Sequence, residues 1–275
     1  MPRLLIMSLL LPLTACSVFG GKHLQHRRSS VVDYLYPSEN RHVEHPTIPN
    51  LKLPARVGIA FVPEDKDARL TFTEKDKMEL MKDVSQHFRN YEFVKSIEII
   101  PSAYLWKNGS FANLDQIRTM YGIDIVALLS YDQTQFTDEG LASITYWTIV
   151  GAYVVPGEKN DTHTMVDALV YDIESRKMLF RAPGISHIKS KATPVNMSEQ
   201  LRHDSVGGFK EASIDLARNL DIQLELFREK LKENPEDYKV VYSSGYTGLG
   251  SLDISFAIIV LLICGTCWLK RETNA

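Results

Sequence analysis

The sequence is poor in cysteine: there are three in 275 residues, at Cys16, Cys264 and Cys267. None falls between positions 17 and 263, which excludes a disulfide framework or a thiolate metal set for the bulk of the chain. Its stability must come from packing alone. A positive charge excess is missing too, since 31 Lys and Arg stand against 34 Asp and Glu, a net charge of −3. With no global basic field, no nucleic-acid partner is expected. The interior has no G-x-S-x-G elbow, no P-loop, no G-x-G-x-x-G after a strand and no H-E-x-x-H. The main signs of serine hydrolases, nucleotide binders and zinc proteases are therefore lacking. No catalytic residue is assigned, and neither a cofactor nor a metal is expected.

What the chain does have is an apolar run at each end. At the N-terminus Arg3 precedes residues 4–13, LLIMSLLLPL, a stretch too short to span a bilayer and of the right length for a signal peptide. Leu13, Thr14 and Ala15 then lead into Cys16. Near the other end, residues 254–269 carry no charge and stop at Lys270 and Arg271. Sixteen helical residues reach roughly 24 Å, short of a hydrocarbon core of about 30 Å. Spanning would require local thinning or snorkelling of Lys270. Both basic ends would stay cytoplasmic, which leaves everything between them outside the inner membrane. Cys264-Gly-Thr-Cys267 has the spacing of a redox or zinc pair, but its place inside the apolar run favours a bland reading.

Leu13-Thr-Ala-Cys16 resembles the lipobox of bacterial lipoproteins. The resemblance implies recognition of Leu13, Thr14 and Ala15 by the signal peptidase and acylation of Cys16, palmitate being among the expected acyl groups. Ser17 in place of Asp implies passage to the outer membrane. An ordinary cleaved secretory signal is the other reading. The C-terminal order of flexible Gly/Ser segment, short apolar helix and basic pair resembles the GlyGly-CTERM sorting signal cleaved by rhombosortase, a rhomboid-type intramembrane protease. The processing region would comprise Gly245, Gly248, Gly250 and Ser251. A plain C-terminal anchor is the alternative there. Together the two ends are similar to the rhombotarget lipoprotein family. That resemblance implies a membrane tether through the acyl group, lipoprotein-processing enzymes and a rhomboid protease as partners, and a cell-envelope location.

The expected layout is a signal peptide over 1–15, a linker over 16–53, an α/β domain over 54–235, a Gly/Ser linker with the processing site over 236–251 and a hydrophobic sorting tail over 252–275. The linker holds His23-x-x-His26 and His42-x-x-His45, which are read as solvated histidines in preference to weak metal ligands. Within the domain, strands are expected at 56–62, 95–101, 123–130, 143–155, 164–173 and 178–181, with a turn at 174–177. Thr73-Glu-Lys-Asp76 predicts a capped helix carrying Met78, Met81, Val84 and Phe88 on its inner side. Asn113 is expected to cap a helix over 114–121 that ends at Gly122. A long helical segment over 197–233 presents Phe209, Ser213, Leu216, Leu220, Leu224, Phe227 and Leu231 as one stripe, with a kink or split expected at Gly207-Gly208 in preference to close approach to a ligand.

This order predicts a single α/β domain with a mixed β-sheet and helices packed on both faces. It is similar to small domains of outer-membrane lipoproteins that help assemble secretion or cell-wall machines, an analogy of fold alone. Asp124 and Asp132 lie at expected strand ends, and His163 and His187 lie in or beside strands; ordinary surface polarity accounts for all four. Tyr146, Trp147, Tyr153, Leu105 and Trp106 are either core or anchors for an envelope protein partner. The missing motifs favour a non-enzymatic partner-binding or assembly component over a secreted or surface-attached hydrolase.

Overall fold

The computed structural model describes residues 22–37, 45–64, 73–139, 158–193, 195–244 and 246. Cys16, the lipobox residues Leu13, Thr14 and Ala15, the processing residues Gly245, Gly248, Gly250 and Ser251, the sorting tail, His42 and the aromatics Tyr146, Trp147 and Tyr153 lie outside them. Among the described residues no helix is long and apolar enough to cross a membrane.

The described chain is a single mixed α/β domain. It runs β1 (Lys22–Arg28), α1 (Val31–Leu35), β2 (Asn50–Leu53), β3 (Ala55–Phe61), α2 (Glu74–Phe88), β4 (Val94–Ile100), α3 (Ser110–Tyr121), β5 (Ile125–Glu139), β6 (Glu158–Asp172), β7 (Lys177–Ala192), α4 (Met197–Glu233) and β8 (Lys239–Tyr242). The main sheet has the order β4-β3-β5-β6-β7; β3 is parallel to β4 and β5, whereas β5, β6 and β7 form an antiparallel meander. Strands joined through helices pair in parallel and strands joined directly pair antiparallel, as connection length dictates. β2 and β8 form a separate parallel pair.

β5 organises the sheet. Its first half pairs with β3 through Val57–Phe61, and its second half pairs on the same side with β1, Arg28 opposite Asp132 and Lys22 opposite Asp138. At the handover the Val62 amide donates to the Leu129 carbonyl at 2.9 Å and the Ser29 amide to the Tyr131 carbonyl at 2.8 Å. The stretch expected to be a linker is corrected here. His23 and His26 are strand residues, and Val31, Tyr34 and Leu35 of α1 are buried in the core. Seven residues with one apolar member, Leu24, carry no hydrophobic period by which a strand could be recognised before its partner is known.

Side-chain alternation sorts the core into two faces. Val126 and Leu128 of β5 join α1 and α3 in one cluster, with Phe111, Leu114 and Ile117. Leu129 and Tyr131 join α2 and α4 in the other, with Leu80, Met81, Val84, Phe209 and Leu216. Each large apolar side chain so buried contributes about 1.5–3 kcal/mol. Thr73 caps α2 as expected, with the reciprocal Asp76 bond to the Thr73 amide at 2.9 Å. Met78 points outward, while Leu80 takes its place in the core.

Three other expectations are corrected. α3 begins at Ser110, so Asn113 lies inside it. Buried, Asn113 Oδ1 accepts from the Tyr34 hydroxyl at 2.8 Å and the Trp106 amide at 2.9 Å, and Nδ2 donates to the Tyr104 carbonyl at 3.3 Å. It therefore ties α1, α3 and the loop before α3 together. Gly122 does end the helix, at φ 65°. α4 is one helix of 37 residues across Gly207-Gly208. A Cβ at Gly208 would meet Thr164 Oγ1 at 2.5 Å, so this glycine serves close approach to the sheet. β7 continues to Ala192 through Pro183 and Gly184, where the sequence suggested only 178–181. A Cβ at Gly184 would come 2.1 Å from the Ala212 carbonyl, so the pair of glycines lets α4 lie directly on the hairpin.

Under the N-terminal half of α4 the same sheet face changes from apolar to polar. Along β5 it reads Leu129, Tyr131, Gln133, Gln135 and Thr137, all buried. Gln133 Nε2 donates to Thr164 Oγ1 at 2.8 Å and to the Ser205 carbonyl at 3.1 Å, and its Oε1 accepts from the Ser205 hydroxyl at 2.5 Å. Gln135 Nε2 donates to Thr162 Oγ1 at 3.2 Å and to the Leu201 carbonyl at 2.9 Å. Buried polar groups satisfied in this way hold a helix in one register, since any shift leaves them unpaired.

Two outcomes are expected. Asn113→Ala strands the buried Tyr34 hydroxyl and should destabilise the domain by about 2–4 kcal/mol, and Tyr34→Phe by about 1–2, in urea titrations; equal effects would contradict the three-way tie. Burial pushes the Tyr171 phenol from 10.0 up to about 12. Between those values the unfolded chain loses its proton first, so stability falls as pH rises. Tyr171→Phe should flatten the decline in melting temperature over that window.

Candidate functional site

On the α2/α4 face the two helices stand apart over the centre of the sheet. α2 packs near β3 and β4 and α4 near β6 and β7, and between them the floor is small: Ala127 of β5 and Ala168 of β6. Ala127 offers only a methyl group to the gap. The result is a cavity of about 330 Å³. Val84 and Phe88 of α2 form one wall, and Leu220, Leu224 and Phe227 of α4 form the other. The β2/β8 pair closes one end with Leu51, Leu53, Val240 and Tyr242, and Tyr246 lies against it.

A polar brace beside the gap ties α4 to α2 and to the turn that follows it. Asp221 of α4 accepts from the Tyr91 hydroxyl at 2.8 Å through Oδ1, and Oδ2 lies 2.8 Å from His87 Nε2 of α2. That hydrogen bond raises the Tyr91 phenol pKa above its ordinary value, with burial adding to the effect. Phe88 stacks on Tyr91, with ring centroids 5.8 Å apart, so the brace and the wall are one assembly.

Among the described residues the lining contains no Asp, Glu, His or Cys. Its charged members are Arg228 and Lys232, on the C-terminal part of α4, and with the exposed Tyr242 they mark the rim. The hydroxyl of Ser85, also in the lining, donates to the Lys82 carbonyl at 2.8 Å. Such a site can bind apolar matter; at its mouth Lys232 can pair an anionic group, and Arg228 can do so in exchange for its bond to Glu225 Oε1 at 2.7 Å. The volume falls in the range of ligand pockets, about 300–1,000 Å³. Held empty, a cavity of this size would cost on the order of 8 kcal/mol at about 24 cal/mol per Å³, as much as the net stability of a domain. An opening to solvent makes that figure an upper bound.

A second group lies on the opposite face of the sheet, at the far end of β6 and β7. His163 and His187 are directly opposed, and Asp161 is two residues before His163 on the same face. Asp161 Oδ1 lies 3.0 Å from His163 Nε2 and 2.5 Å from His187 Nε2. The sequence reading treated both histidines as ordinary surface residues and did not single out Asp161. Once the turn at 174–177 is known, counting outward pairs the histidines, but the register shift at Val170/Tyr171 must be known too.

The other anticipated residues go elsewhere. Asp124 forms a two-pronged pair with Arg56, at 2.8 and 2.9 Å. Asp132 lies within β5, not after a strand, and faces His26 at 2.9 Å. Leu105 is core and Trp106 is exposed. No feature of the sequence marked the cavity, because its lining comes from both helices and seven strands and reads locally as core. No protein-family model matches the chain, and no curated protein matches it.

Ala127→Leu adds three carbon atoms over the cavity floor. It should raise stability by about 1 kcal/mol, as cavity filling does, and abolish uptake of an environment-sensitive apolar dye. Undiminished dye fluorescence would show that the cavity is not where the dye binds.

Proposed function

We propose that this chain is an exported bacterial lipoprotein of the cell envelope, tethered through an acylated Cys16 and trimmed within residues 245–251. Its α/β domain is a non-catalytic binding module for an amphiphile with an acyl-type chain. The observation that carries the molecular role is the cavity of about 330 Å³, apolar throughout its interior, with Arg228 and Lys232 at its rim. The apolar chain would occupy the gap between α2 and α4, and an anionic head would pair with the two cations. A lining without carboxylate, imidazole or thiol among the described residues supports binding over hydrolysis.

The tether and the trimming rest on the lipobox resemblance of Leu13-Thr-Ala-Cys16 and on the Gly/Ser segment, apolar run and basic pair at the other end. A tail that stayed in the inner membrane would hold back a lipoprotein sorted outward, so removal of the tail reconciles the two ends. The mature chain would lose Arg3, Lys270 and Arg271 but only two acids, Asp253 and Glu272, and become slightly more acidic. Assembly of envelope machinery through a protein partner fits the same location.

Mass spectrometry on protein purified from envelopes tests the reading in two steps. Under denaturing conditions the mass should correspond to an acylated chain ending within 245–251, and Cys16→Ala should lose the acyl mass. Under native conditions an additional amphiphile should remain bound and disappear in Ala127→Leu. An unlipidated full-length mass would overturn the envelope reading, and a native mass with no bound amphiphile would overturn the binding role.

A further inference from the structure

We infer that Asp161, His163 and His187 form a binding site for a divalent transition metal ion, zinc by preference, on the open face of the sheet. The strand period puts Asp161 and His163 on one side of β6, and antiparallel register puts His187 directly across from His163. One carboxylate oxygen and an imidazole nitrogen from each ring lie within 4.8 Å of one another. Two imidazoles and one carboxylate are the donor types of an open, three-ligand zinc site, whose fourth position belongs to water or an incoming ligand.

The site is well supported by its surroundings. β6 is paired along its whole length by β5 and β7, so the backbone beneath the three side chains is fixed. The two rings are stacked at 4.0 Å between centroids, 16° from parallel, and the Phe136 ring meets His163 edge-on at 6.2 Å. Both Nε2 atoms face the same Asp161 oxygen. A tetrahedral ion with bonds of about 2.0–2.2 Å needs its ligand atoms roughly 3.3 Å apart. The present 2.5 and 3.0 Å spacings must therefore open by less than an ångström, and the rings must tilt, as exposed side chains can. Each imidazole binds through the Nε2 lone pair, with its remaining proton on Nδ1; any second proton goes to solvent. Lys189 is the cross-strand neighbour of Asp161, and its positive charge opposes that of the ion.

His26 belongs to the same cross-strand row, opposite Thr134, which is opposite His163, yet its partner is Asp132. It serves as an internal control. The full chain, purified in detergent and stripped with chelator, is titrated calorimetrically with zinc chloride and, separately, with cobalt chloride followed by visible absorption. With Cys264→Ser and Cys267→Ser introduced throughout, so that no thiolate pair competes, one equivalent should bind, and cobalt should give the strong bands of a tetrahedral site. His163→Ala and His187→Ala should each weaken zinc by about tenfold or more, since even residues behind the ligands cost that much. Asp161→Asn should weaken it as well, and His26→Ala should leave it unchanged. All three side chains are at least partly exposed, and matching circular dichroism would show the variants folded. The assignment is overturned if no stoichiometric zinc binds, if His163→Ala and His187→Ala bind as the unaltered chain does, or if His26→Ala has the larger effect.

Discussion

The seating of α4 on the β5-β6-β7 meander is the constraint on which the rest depends. One helix of 37 residues lies over two chemically different halves of one sheet face. Toward its C-terminus it contributes Leu216, Leu220 and Phe227 to apolar contacts; toward its N-terminus it offers carbonyls and hydroxyls to Gln133 and Gln135. Apolar burial supplies most of the free energy but tolerates sliding, while the buried amides do not. Gly184 and Gly208 bring the helix close enough for both. The polar ladder fixes the register, and the register fixes where the apolar half must stop.

The cavity follows from that arrangement. With α4 held on β6 and β7 and α2 capped and packed near β3 and β4, the centre of the sheet can be covered only by side chains reaching in from each side. The Asp221 brace links the two helices beside the gap, and the alanines of the floor leave space above them. A domain that leaves such a volume beneath its helices gives up packing. An apolar occupant would restore it, and this is the physical argument behind the proposed binding role.

The other face shows the complementary economy. α1 and α3 cover it only over the first half of β5, through Val126 and Leu128. Beyond that, Leu24, Phe136 and Ile185 are exposed among the Asp161 group, and no helix among the described residues packs there. The long strands extend past their helical cover, and that extension places a chelating trio on a rigid, accessible surface.

Much of the architecture was legible in order and period. The mixed sheet, the capping at Thr73, the stop at Gly122 and the apolar stripe of α4 all follow from local patterns, because capping, turns and amphipathicity act within a few residues. The chain ends, with a lipobox-like Cys16 and a basic-tipped apolar run, are likewise properties of contiguous residues. What only the tertiary structure decided depends on register between distant segments. β1 is a strand because β5 offers it an edge, Asn113 is a tie instead of a cap because Tyr34 comes to it, and Gly208 is a contact instead of a kink because Thr164 lies beneath. A shift of one residue in a strand pairing turns every side chain to the opposite face. The meeting of His163 with His187, and the gap above Ala127, are thus set by long-range pairing, which the order of amino acids leaves open until the sheet is assembled.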